Sequence, residues 1–142
     1  TVDRLNEEFN YNYNEFVVLL PTTPLRKSFD IEGAISVFNE KDSDSVISVT
    51  CLHFPADWIF RLSKDGTMNS LIKENLIMNR QDHERYFIPN GGVYVLRNEL
   101  LKKNRSYFSQ KTYPFKMPYE RSVDIDTEFD FKLAEYLISK NG

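Results

Sequence analysis

Apolar positions along the chain fall into two spacings, one helical and one strand-like, separated by polar and proline-rich breaks. Val2, Leu5 and Phe9 share one face of a short helix, which NYNYN ends. Phe16 to Leu20 are continuously apolar, which predicts a strand buried on both faces. PTTP closes that strand, because a proline cannot donate to a ladder. Ile31, Ala34, Ile35 and Phe38 then recur at i, i+3, i+4 and i+7 and predict a helix, with Ser28 or Asp30 as its N-cap. After the polar KDSD loop, SVISVTCL predicts a second buried strand. Strand, helix and strand at this spacing form a βαβ unit with parallel strands.

Periodicity weakens between His53 and Pro89. This stretch holds DWIFRL, a KDGT turn and a polar segment that nevertheless carries Leu71, Ile72, Leu76, Ile77 and Met78. Long excursions with apolar content read as packed functional arms. Beyond it, NGG allows a tight backbone approach and Val93 to Leu96 predict a strand. A short helix and a mixed segment, SYFSQKTYPFKM, follow. A last helix draws its core face from Phe129, Leu133, Ala134, Leu137 and Ile138, and Thr127 with Asp130 forms a capping-box pattern at its start. Alternating strands and helices over 142 residues predict a single α/β domain with a mostly parallel sheet, whose ligands sit at the carboxyl ends of the strands.

Composition narrows the function classes. With 41% hydrophobic residues, 11 Phe and 8 Tyr there is ample material for a core. The net charge of −3 and the scattered cations give no basic stripe for nucleic acid. No apolar run approaches the roughly 20 residues of a membrane span. One cysteine, Cys51, excludes a disulfide framework and fits a reducing compartment. Cys51 and His53 would share a strand face as nucleophile and base, but a small packed cysteine is the favoured reading. Phosphate-cradle and zinc-ligand spacings are both absent.

Three motifs at expected strand ends carry candidate chemistry. In DID, Asp124 and Asp126 project to one side of an extended segment while Ile125 turns inward. Two adjacent carboxylates suit Mg²⁺, which takes one or two of them along with water and phosphate oxygens. A solvated strand end in which Asp126 helps cap the helix stays open beside that reading. In LLPTTPLR, Leu20 leads into a proline-fixed loop where Thr22 and Thr23 offer hydroxyls and backbone amides to a ligand. Arg26 serves there either a phosphate or carboxylate, or a structural ion pair. In NRQDHERYFIPNGG, Arg80, Gln81 and Asn90 lie near the Gly91 turn, a set suited to a polyhydroxylated acid or to a solvated loop.

In order, these motifs resemble the acylneuraminate cytidylyltransferases, the family that makes CMP-sialic acid and related CMP-nonulosonates. The family's LLQPTSPLR resembles LLPTTPLR, its RRQD…NGAIY resembles NRQDHERYFIPNGGVY, and its SIDIDTPEDFELAE resembles SVDIDTEFDFKLAE. Its helix and ADSVVSV strand resemble the stretch from Asp30 to Val49. The resemblance implies a Rossmann-like fold of the nucleotide-diphospho-sugar transferase type, with residues of about 53–89 as a dimerisation arm. It also implies a cytoplasmic bacterial homodimer that joins a nine-carbon acid sugar to CTP and releases pyrophosphate. By the same resemblance, Asp124 and Asp126 hold Mg²⁺ at the catalytic centre, and Leu20, Thr22, Arg80, Gln81, Asn90 and Gly91 lie about the substrates.

Two departures modify this picture. The family's sugar-contacting glutamine falls on Leu20, which points to a more deoxygenated sugar such as legionaminic or pseudaminic acid. The family's opening strand and its glycine- and basic-residue-rich loop for the CTP phosphates have no counterpart here. The chain therefore reads as the later part of a cytidylyltransferase domain, and on its own is expected to turn over no CTP. Alternative readings are a non-catalytic sugar-binding or assembly fragment, and a cytidylyltransferase for another acid sugar of the Kdo type, whose usual loop differs from PTTPLR.

Overall fold

A computed structural model describes residues 2–10, 13–71 and 85–141. They fall into two compact units, Thr1–Thr50 with Pro89–Gly142, and Cys51–Ile88. In chain order the elements are α1 (Val2–Phe9), β1 (Glu15–Val18), α2 (Ser28–Glu40), β2 (Ser45–Cys51), β3 (Phe60–Leu62), β4 (Met68–Ser70), β5 (Phe87–Arg97), α3 (Asn98–Asn104), β6 (Thr112–Lys116) and α4 (Glu128–Asn141).

The larger unit is built on a four-stranded sheet in the order β1-β5-β2-β6. β1 runs antiparallel to β5, with Phe16 opposite Leu96, and β2 runs parallel to β6, with Ile47 opposite Pro114. The sheet is therefore mixed, and β5 lies between the two strands of the expected βαβ unit. The core forms where α2 covers the sheet. Ala34 and Phe38 meet Val46 of β2 and Val93 and Val95 of β5, and Ile31, Val37, Tyr113 and Phe115 pack around them. Gly33 permits this contact, since a Cβ there would stand 2.6 Å from the Phe115 ring.

Several expectations change. β1 is an edge strand whose residues alternate between exposed and half-buried, and it ends at Val18. A short apolar run does not tell one covered face from two; among the described residues β1 has a single sheet neighbour. Leu19 and Leu20 leave the sheet and lead into the proline loop. β6 falls in the segment read as mixed, and its central Pro114 is tolerated because the strand is at the sheet edge. Helix α2 starts earlier than either expected cap, Ser28 or Asp30: Lys27 is its N-cap, and the buried Asp30 accepts the Lys27 N–H at 2.9 Å. In α4, Leu133, Ala134 and Leu137 pack on Leu25, Val123 and Ile125. Phe129 and Ile138 are exposed instead. At about 100° per residue they sit some 40° outside the packed stripe, one on each margin.

The smaller unit holds a short 3₁₀ turn at Ala56–Trp58 and the antiparallel hairpin β3–β4. KDGT makes the hairpin turn, with Gly66 at φ +86° and the Asp65 carboxylate accepting the Thr67 N–H and hydroxyl. β2 ends at Cys51, so His53 does not share a strand face with it.

Candidate functional site

Two prolines stiffen the loop after β1, and its own side chains then lock it. Thr23 is fully buried, and its hydroxyl donates to the Leu20 and Gly91 carbonyls, each at 3.0 Å. The Arg26 Nη1 donates to Leu20 O, Thr23 O and Thr23 Oγ1, each at 2.7 Å. Arg26 is thus a staple of its own loop, and neither of the two roles expected for it describes these bonds. Thr22 is exposed, and its carbonyl accepts the Ile125 N–H at 2.8 Å. The loop is therefore bonded to the DID segment, a link between residues about a hundred positions apart.

The glycine turn is held from inside. Asn90 is buried; its Oδ1 accepts from Ser48 Oγ at 2.6 Å and from Gly92 N at 3.1 Å, and its Nδ2 donates to Ser122 Oγ at 2.7 Å. Ser48 Oγ in turn accepts from Val93 N, and Ser122 Oγ donates to Pro118 O. Each hydroxyl and backbone N–H in this relay faces an acceptor, and so does one N–H of the Asn90 amide, as expected of a buried polar network. The Asn90 carboxamide therefore faces inward and contributes position to the turn. Its neighbour Gly91 has φ +72°, a region that favours glycine. A Cβ on Gly91 would stand 3.1 Å from Thr23 Cγ2, 3.2 Å from Leu20 Cδ1 and 3.6 Å from Asp124 Oδ2. Three motifs far apart in sequence thus converge on the α-carbon of Gly91.

In the third of them, Asp124 and Asp126 are exposed on either side of the half-buried Ile125, which packs with Leu25 and Val123. This is the alternation expected of an extended segment. Among the described residues neither carboxylate accepts a hydrogen bond or an ion pair. Asp126 is not the helix cap. That role belongs to Thr127 and Asp130, whose carboxylate accepts the Thr127 hydroxyl at 2.7 Å and the Thr127 N–H at 2.8 Å. Burial raises the Tyr94 phenol pKa, and the negative charge of Asp124 raises it further.

The Thr127 hydroxyl, helped by the Thr127 and Asp126 N–H groups, lowers the Asp130 pKa below its ordinary 3.8. A carboxyl depressed in the folded state stabilises the fold above its unfolded pKa, and that contribution disappears as pH falls through the folded value. Urea midpoints measured from pH 6 down to pH 3 should fall less steeply in Asp130→Asn than in the parent. Parallel profiles would show that the cap does not titrate.

Of the residues singled out in the sequence, Leu20, Gly91 and Asp124 converge and Thr22 is bonded to the adjoining segment. Arg80 and Gln81 lie outside the described residues. Sequence reasoning missed Ser48 and Ser122; the legible signal for Ser48 was a polar residue in the middle of an apolar strand. Among the described residues no group of three or more His, Cys, Asp or Glu side chains clusters as a metal site. The unpaired Asp124 and Asp126 carboxylates, hard oxygen donors, still fit a Mg²⁺ whose other ligands are water and phosphate.

No family model matches the chain. It is 32% identical over 117 residues to the N-acylneuraminate cytidylyltransferase of Streptococcus agalactiae serotype V, a match that covers 82% of the chain and 28% of the relative. It is 28% identical to the CMP-N,N'-diacetyllegionaminic acid synthase of Legionella pneumophila, over 95% of the chain and 58% of that protein. It is also 28% identical to the post-translational flagellin modification protein B of Campylobacter coli, over 98% of the chain and 59% of the relative. The chain thus spans between about a quarter and three-fifths of the length of these curated relatives. With relatives of this kind along most of its length, and with its proline loop, glycine turn and DID segment gathered at one point, the chain belongs to the acylneuraminate cytidylyltransferase family.

Proposed function

We propose that the protein carrying this chain transfers CMP from CTP to a nine-carbon acid sugar. The sugar's anomeric hydroxyl forms a bond to the α-phosphorus and loses its proton, while the bond to pyrophosphate breaks. The observation that carries this reading is the convergence of Leu20, Thr23 and Asp124 on Gly91. It gives one place for a sugar-facing loop, a close backbone approach and a carboxylate. Asp124 and Asp126 would hold Mg²⁺, which when bound neutralises the charge that develops on phosphate oxygens. The inward relay through Asn90 keeps the Gly91 turn fixed, so that a ligand meets a preorganised surface.

Leu20 favours a sugar with fewer hydroxyls than N-acetylneuraminate, of the legionaminic or pseudaminic type. A half-buried leucine cannot return the hydrogen bond that a buried sugar hydroxyl gives up to water. The named activity of the Legionella relative is in keeping with this choice. A dimer built through the smaller unit belongs to the same proposal, supported by the exposed Leu62, Met68 and Leu71 around its hairpin.

The test is pyrophosphate release by the full-length protein with CTP, Mg²⁺ and a panel of nonulosonic acids. The deoxygenated sugars should exceed N-acetylneuraminate in kcat/KM by about tenfold to a hundredfold, and Leu20→Gln should narrow that ratio. No release with any acid sugar would sink the reading.

A further inference from the structure

Thr23 stands apart from the residues that line the turn. It is completely buried in a loop, where a hydroxyl is tolerated only if it is bonded. It shares its one proton between Leu20 O and Gly91 O, and accepts from Arg26 Nη1. Gly91 lies 68 positions away, and among the described residues this hydroxyl makes the side-chain hydrogen bond that crosses from the proline loop to the glycine turn. Its methyl group is the nearest atom to the place where a Gly91 Cβ would be, at 3.1 Å. The next residue back, Thr22, holds the Ile125 N–H through its carbonyl, between the two aspartates. The loop is thus tied on one side to the glycine turn and on the other to the DID segment, and Thr23 is the tie to the turn.

We propose that Thr23 is a positioning residue for the CMP transfer: its hydroxyl sets the spacing between Leu20, Gly91 and Asp124. The inference rests on the cytidylyltransferase reading. Thr23 touches no reacting atom. It acts through the Gly91 carbonyl, whose backbone carries the turn toward Asp124, and through the Leu20 carbonyl, whose side chain faces the same turn. Leu20 O also accepts from Arg26 Nη1 and from the Thr23 N–H, whereas among the described side chains Thr23 alone donates to Gly91 O. Loss of the hydroxyl therefore releases the glycine turn more than the loop.

Thr23→Val keeps the shape and removes the hydroxyl; Thr23→Ser keeps the hydroxyl and removes the methyl. Both are assayed in the full-length protein with CTP, Mg²⁺ and the sugar that the wild type turns over best, well below the unfolding midpoint of each. Small misplacements in a preorganised site can cost about 10²-fold, so Thr23→Val should lose about 30-fold to 100-fold in kcat/KM for the sugar and Thr23→Ser no more than about threefold. The sugar KM and the half-saturating Mg²⁺ concentration should both rise in Thr23→Val. If Thr23→Val does not fold, Thr23→Ala is read in its place. A lowered unfolding midpoint with unchanged kcat, sugar KM and Mg²⁺ dependence would overturn the proposal and leave Thr23 a structural residue. Equal losses in Thr23→Ser and Thr23→Val would also overturn it, because the hydroxyl would then not be the operative group. A wild type that releases no pyrophosphate overturns the enzymatic reading itself, whereas an active wild type matched by Thr23→Val overturns only the assignment of Thr23.

Discussion

Asp124→Asn and Asp126→Asn, each made in the full-length protein, should lower kcat by at least about 10²-fold, the scale of losing one electrostatic contact in a transition state. Stability should barely change. Both side chains are exposed, and among the described residues neither carboxylate accepts a hydrogen bond, so asparagine breaks nothing in the fold. Relief of the repulsion between two neighbouring acids can even raise the unfolding midpoint slightly. This opposition of effects is what separates a cation site from a structural pair, in which activity and stability fall together. Mg²⁺ titration adds a second readout. The half-saturating concentration should rise in both variants, since a site with one carboxylate holds a hard divalent cation less well than a site with two. Near-normal kcat in both variants would remove the metal assignment. A collapse in stability would show instead that the carboxylates support the turn.

How much of this was legible depended on whether a local pattern decided the structure. The cap of α4 was readable because Thr127 and Asp130 are three residues apart and interact with little else. The extended DID segment was readable because an apolar residue between two acids has one sensible orientation beside a core. The mixed sheet was not. Parallel and antiparallel strands share a period of two, and nothing in Phe16–Leu20 says that β5, some 75 residues later, will pair with it antiparallel. β6 was hidden by Pro114, which argues against a strand unless the strand is known to be at an edge. At the site, the sequence left Arg26 between a ligand and a structural ion pair, and Asn90 between a ligand and a solvated loop, because residue type near a loop does not say which partner it finds. The structure turns them toward carbonyls and hydroxyls of their own framework. Burial decides which way a polar side chain faces, and burial is a property of the assembled fold.

The largest expected loss of stability comes from one ion pair that this assembly created. Arg121 donates to both oxygens of Asp30, at 2.9 Å from Nε and 2.8 Å from Nη2, and its guanidinium lies 4.7 Å from the centre of the Phe29 ring. The Asp30 side chain is 1% exposed and that of Arg121 28% exposed, so the two partners are not equivalent. The bond to Asp30 raises the Arg121 pKa further, so the arginine is charged at any working pH. Arg121→Ala would leave a buried carboxylate with only the Lys27 N–H, and breaking a buried pair in this way should cost about 3 kcal/mol. Asp30→Asn is the gentler change. The amide oxygen can still accept from Lys27, and Arg121 can turn toward water over Phe29, so a loss of about 1–2 kcal/mol is expected. Arg121→Lys should fall between them, because an ammonium cannot make the two-pronged contact. Urea denaturation of the three variants checks the ordering. Arg121 directly precedes Ser122, which accepts from Asn90, so the most damaged variant should also loosen the glycine turn and lose activity before it unfolds. An Arg121→Ala variant as stable as Asp30→Asn would mean that water reaches Asp30, and that the pair tethers α2 to this segment without being essential to the fold.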